Sequence, residues 1–144
     1  MRRLVPALLV ATLFVSGCGN LKKTKECSAF IDRVNTALSV IQQHTNTAGK
    51  EDAKAAADMK KLGELYEQLS KDVGALEITT PDLKTHTGEY QAMAAKAAAA
   101  ARQVAEAIEK KDPQQAESAQ TEFDKIVKQE DELVNKINGY CQAR

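Results

Sequence analysis

Four stretches of the chain repeat apolar side chains at alternating spacings of three and four residues, the period that gathers them on one face of an α-helix. In the first, Cys27, Ile31, Val34, Leu38 and Ile41 recur this way, with Phe30 and Ala37 beside them. The second runs through Ala55, Met59, Leu62, Tyr66, Leu69, Val73 and Leu76. The third takes Leu83, Tyr90, Ala94, Ala97, Ala101, Val104 and Ile108, and the fourth Ala116, Ala119, Phe123, Ile126, Leu133, Ile137 and Tyr140. Glu130 interrupts the fourth stripe and is expected at its boundary with solvent.

Punctuation between the stripes sets the helix limits. Thr24 reads as an N-cap for the first helix, and Thr45, Asn46, Thr47 and Gly49 end it. Glu51 and Asp52 suit the positive end of the second. Gly63 lies inside that helix, where it costs about 1 kcal/mol relative to Ala; it either allows a close helix approach or is tolerated. Thr80-Pro81-Asp82 supplies a cap, a proline at the first helical position and an acid in the first turn. Asp112-Pro113-Gln114-Gln115 supplies a cap, a proline and a capping-box Gln. The expected helices span residues 26–45, 51–75, 81–111 and 113–141. Short connections favour antiparallel neighbours, so the expected fold is all-α, an up-down-up-down four-helix bundle.

A different pattern precedes them. Met1-Arg2-Arg3 is followed by the apolar run Leu4 to Val15 and then by small residues. A basic start, an apolar middle and small residues before a cut site read as a secretory signal peptide. The run is too short to span a bilayer, which needs about 20 residues, and Pro6 weakens it as a helix.

Val15-Ser16-Gly17-Cys18 resembles the lipobox of bacterial lipoproteins. The resemblance implies cleavage after Gly17, a diacylglycerol thioether on Cys18 and an acyl chain on the new N-terminus. Two or more chains anchor stably where one binds only marginally. Gly19 and Asn20 follow, neither being the Asp that marks inner-membrane retention in enteric-type lipoproteins. The resemblance thus implies the cell outer membrane, with the domain facing the periplasm or exposed at the surface. The expected organisation is a signal peptide over 1–17, a lipidated N-terminus and basic tether over 18–25, and the bundle over 26–144. Extended from Gly19 to Glu26, the tether would reach at most roughly 28 Å. Lys22, Lys23 and Lys25 read as solvated tether residues, with contact to anionic head groups as the alternative.

The cysteine count sharpens this picture. With Cys18 assigned to lipid, Cys27 and Cys141 remain, one near each end of the bundle. Beyond the inner membrane a disulfide is permitted; the alternative is two buried free thiols. An even number of antiparallel helices brings the start of the first and the end of the last to one end, so the pairing and the helix count support each other.

Removing residues 1–17 leaves 127 residues with 18 basic and 20 acidic side chains, enough for one core and no argument for nucleic acid. Aromatics are few, Trp is absent, and between Ala92 and Ala101 only Met93 and Lys96 are not alanine. The core is expected to be thin.

Candidate chemistry is sparse. His44 and His86 fall at opposite ends of the bundle and cannot share a metal. There is no Glu-x-x-His pair, no C-x-x-C-H haem site, no G-x-S-x-G or S-x-x-K, and no phosphate-cradling glycine loop. Carboxylates such as Glu64, Glu67, Glu106, Glu109 and Glu130 stand among lysines, as solvated helix faces do. No catalytic residue, cofactor or metal is expected. The chain ends Gln142-Ala143-Arg144 rather than in Lys, so covalent attachment to peptidoglycan is not expected.

Through its lipobox, Thr80-Pro81-Asp82-Leu83, Lys110-Lys111-Asp112-Pro113 and Ile137-Asn138-Gly139-Tyr140-Cys141, the chain resembles small helical lipoproteins of Gram-negative bacteria, of the myxobacterial kind. That resemblance brings no activity. The expectation is a lipid-anchored, non-enzymatic envelope module that partners the membrane through Cys18 and an envelope protein through its distal tips or a helical face. The alternative is a periplasmic binding module that holds a small apolar ligand or a partner helix within its alanine-rich core.

Overall fold

Two prolines and one left-handed lysine set the sharpest boundaries of the fold. In the computed structural model, which describes residues 21–48 and 52–143, Pro81 opens α3 (Pro81–Glu109) and Pro113 opens α4 (Pro113–Gln142). Both prolines sit where the missing N–H is not needed and the fixed φ suits a helix. Asp112 caps α4, its side chain accepting from the Gln115 amide at 2.9 Å. Between the two helices Lys111 adopts φ 55°. The Asp112 amide then reaches Ala107 O at 3.0 Å and the Lys111 amide reaches Ile108 O at 3.0 Å. This is a Schellman closure with a lysine where glycine is usual.

The first half of the bundle is α1 (Leu21–Thr47) and α2 (Asp52–Gly74). α1 begins at Leu21, so residues 21–25, expected as the end of the tether, are helical. Lys22, Lys23 and Lys25 are adequate helix formers, and Lys23 is held by the C-terminal end of α4, as described below. Cys18 and the whole signal segment lie outside the described residues.

The four helices run antiparallel. Ser70 of α2 donates to Gln91 O of α3 at 3.0 Å, and Lys60 pairs with Glu109 at 2.5 Å. Further along, Lys136 of α4 pairs with Glu89 of α3 at 2.8 Å. The all-α bundle read from the sequence is therefore the observed fold.

α3 is its axis. Its buried residues include Leu83, Tyr90, Met93, Val104 and seven alanines, a far wider arc than the single stripe the spacing predicts. The physical reason is that α2 and α4 pack closely on either side of it, so alanines on both flanks are covered. Gly63 serves the approach of α2: a Cβ there would stand 3.1 Å from Ala98 O and 3.1 Å from Arg102 Cγ. α1 stands farther from its neighbours, and larger side chains fill the gap. Phe30 is buried and meets Tyr90 edge-on, centroids 5.3 Å apart. Ile31 and Leu38, expected on the core stripe, are half-buried, because α1 is turned to seat Phe30, Val34 and Ile41. Across the bundle Tyr66 meets Phe123 edge-on at 5.9 Å. The largest fully buried side chains are Tyr90, Leu69, Leu83 and Ile137.

Candidate functional site

One end of the bundle is tied shut by groups from α1, α3, α4 and the α2–α3 connection. Cys27 of α1 and Cys141 of α4 form a disulfide, with Cα atoms 5.9 Å apart across a separation of 114 residues. One turn earlier on α1, Lys23 Nζ donates to Ala143 O at 2.6 Å and lies 4.5 Å from the centre of the Tyr140 ring. That ring meets His86 of α3 edge-on at 5.8 Å. His86 Nδ1 is buried without a hydrogen-bond partner, 3.7 Å from Glu89 Oε2.

Glu26 completes this end from the other side. Its Oε1 accepts from the Thr79 amide at 3.1 Å and the Thr79 hydroxyl at 2.6 Å, and its Oε2 from the Thr80 amide at 3.0 Å. Thr80 occupies the N-cap position of α3 in extended backbone, but its own side chain makes no capping bond. A carboxylate from α1 thus serves the N-terminus of α3, where a negative charge is favoured. The Thr79 and Thr80 hydroxyls and amides hold the Glu26 carboxyl down at about 2.

Midway along the bundle a second carboxylate lies in the core. Glu130 of α4 is buried and accepts a hydrogen bond from the Tyr90 hydroxyl of α3. Its expected boundary position is corrected here: its spacing from Ile126 and Leu133 puts it on the core face, and the Tyr90 donor makes burial tolerable. Burial pushes the Glu130 carboxyl up, and the Tyr90 hydroxyl partly offsets this. Burial and the neighbouring Glu130 also push the Tyr66 and Tyr90 phenols up.

The opposite end carries the α1–α2 and α3–α4 connections. There His44 Nε2 lies 2.8 Å from Asp58 O. The two histidines are thus held at opposite ends, as their sequence positions require. Beside the Lys110–Asp112 turn, an open groove of about 960 Å³ runs between α3 and α4, lined by Gln103, Glu106, Gln114, Ser118 and Glu122 among others. Its walls are mostly amides, hydroxyls and carboxylates, with Ala119 among them. Such a surface offers hydrogen bonds to a partner beside some apolar area.

Exposed ion pairs lace the helix faces, among them Arg102 and Lys71 on Glu67. Pairs of this exposure contribute about 0–1 kcal/mol each. Among the described residues there is no group of three or more His, Cys, Asp or Glu placed to hold a metal. No helix among them is long and apolar enough to cross a membrane.

Of the residues singled out from sequence, Cys27 and Cys141 are brought together and Cys18 lies outside the described residues. Glu26 was missed, and Glu130 was placed at a boundary. A signal for each is in the spacing: Glu26 stands four residues before Phe30, and Glu130 four after Ile126, both in register with buried positions. No protein-family description matches this chain, and neither does any curated protein or solved structure.

Proposed function

We propose that this chain is a lipid-anchored envelope protein, acylated on Cys18, whose bundle acts as a non-enzymatic structural or protein-interaction module at the outer membrane. The lipobox-like Val15-Ser16-Gly17-Cys18 and the Gly19-Asn20 that follow it motivate the anchor and the destination. The observation that carries the rest is polarity of the bundle. The helix nearest Cys18 starts at the end closed by Cys27–Cys141 and by Glu26 on Thr79 and Thr80. The polar groove lies at the other end. A tied end beside an anchor and an open polar surface away from it suit a module that is held at one end and meets a partner at the other.

Two measurements test this. Mass analysis of the mature protein is expected to show lipid on Cys18, and Cys18→Ser is expected to leave the membrane fraction. Photocrosslinkers at Gln114 and Ser118 in the groove are expected to trap an envelope protein. An unmodified Cys18 refutes the anchor; no adduct from these or any other exposed position refutes the interaction module.

A further inference from the structure

Resting on the anchor proposed above, we infer that the start of α1, Leu21 to Lys25, is a docking surface for anionic phospholipid head groups that holds the bundle end-on to the membrane. The length of chain between lipid and helix is the first argument. α1 begins at Leu21, so only Gly19 and Asn20 separate it from Cys18. Fully extended, three Cα–Cα steps cover at most about 10 Å. The head-group layer is itself roughly 5–7 Å deep on each side of the hydrocarbon. A tether reaching residue 26 would let the bundle turn freely; this one keeps the start of α1 at the interface.

Side-chain placement is the second argument. Leu21 is 81% exposed, the most exposed of the large apolar side chains described. Lys22 and Lys25 are exposed beside it, whereas Lys23 is turned to Tyr140 and Ala143. An apolar tip flanked by ammonium groups matches the boundary between acyl chains and phosphates.

Charge sign is the third. The first turn of α1 contains no acidic residue. Lysines at a helix N-terminus oppose the macrodipole, so this arrangement is unfavourable in water. Against phosphates the sign reverses, because the ammonium groups of Lys22 and Lys25 then face anions. Among the carboxylates of this end, Glu26 is buried on Thr79 and Thr80, and Glu77 and Asp82 are exposed on the α2–α3 side. Lys22 and Lys25 thus place a pair of ammonium groups on α1, the helix that follows the anchor, with Lys84 of α3 exposed at the same end.

The test uses the full mature protein, reconstituted into vesicles of phosphatidylcholine alone and of phosphatidylcholine with phosphatidylglycerol. Flotation with the neutral vesicles reads the anchor, independent of lysine charge. Amide hydrogen exchange at residues 22–27 reads the docking. Exchange is expected to be about tenfold slower on the anionic vesicles, given attraction of the order found for lysines near a charged surface. The double substitution Lys22→Glu, Lys25→Glu, at two exposed positions, is expected to abolish the difference while flotation persists. Flotation with equal exchange on both vesicles overturns the docking and leaves the anchor standing. A protein that fails to float with neutral vesicles loses the anchor, and the docking built on its short tether falls with it.

Discussion

Glu26 caps a helix whose N-cap residue lies 54 residues further along the chain, accepting the Thr80 amide at 3.0 Å through Oε2. α1 and the α2–α3 connection are thereby joined by a carboxylate, one residue from the cysteine that joins α1 to α4. Stability at this end should depend on the charge of that one group.

The sign of the pH dependence follows from the direction of the shift. The Glu26 carboxyl lies at about 2 in the folded protein against an ordinary value of 4.5. Its contribution is present above 4.5 and is lost as pH falls towards 2. Glu26→Gln is expected to lower Tm at pH 7, with the gap to wild type closing as the pH approaches 2. Thermal melts by circular dichroism across that range check this; an equal gap at both ends would contradict it.

Glu130 has the opposite sign. Burial raises its carboxyl above 4.5, so its contribution is fullest below that value and declines as pH rises through the folded value. Glu130→Gln keeps an acceptor for Tyr90 and removes the buried charge. It is expected to flatten this limb and to stabilise the bundle by on the order of 1 kcal/mol at pH 8. Tyr90→Phe strands the carboxyl without its donor and is expected to cost about 1–3 kcal/mol. Urea unfolding at pH 5 and pH 8 separates the two variants.

The Cys27–Cys141 bridge closes nearly the whole described chain, with 114 residues of separation. Chain-entropy reasoning sets the loss on its removal at up to about 4.7 kcal/mol. Paired Cys27→Ala, Cys141→Ala substitution is expected to lower the urea midpoint accordingly and to leave helical content unchanged. Mass measurement without reductant checks the bridge itself; two alkylatable thiols would contradict it.

Lys111 holds φ 55°, a region open to glycine without steric penalty. Lys111→Gly is expected to stabilise the α3–α4 turn by about 1 kcal/mol, the scale of the left-handed penalty for a residue with a Cβ. A fall in Tm would mean that the lysine side chain contributes more than the backbone strain removes.

Helix number, class and most boundaries were legible because the signals are local. A 3.6-residue period, Pro81 and Pro113 at first helical positions, and Asp112 as a cap act within a few residues of themselves. The end-to-end pairing of two cysteines was within reach too, because parity and helix count constrain each other, though the 5.9 Å separation of their Cα atoms belongs to the folded chain. The two buried carboxylates were legible in register but not in role. Glu26 is read only as the first residue of the first helix and Glu130 onto a boundary, since in one dimension an acid near an apolar stripe reads as solvent-facing. What makes each burial tolerable is a donor from another helix: Thr79 and Thr80 for Glu26, Tyr90 for Glu130. The start of α1 at Leu21 and the wide burial of α3 belong to the same class. By itself the sequence determined four amphipathic helices and the order in which they alternate. The tertiary structure decided which polar groups enter the core and which helix forms the axis, because both depend on partners brought together only by packing.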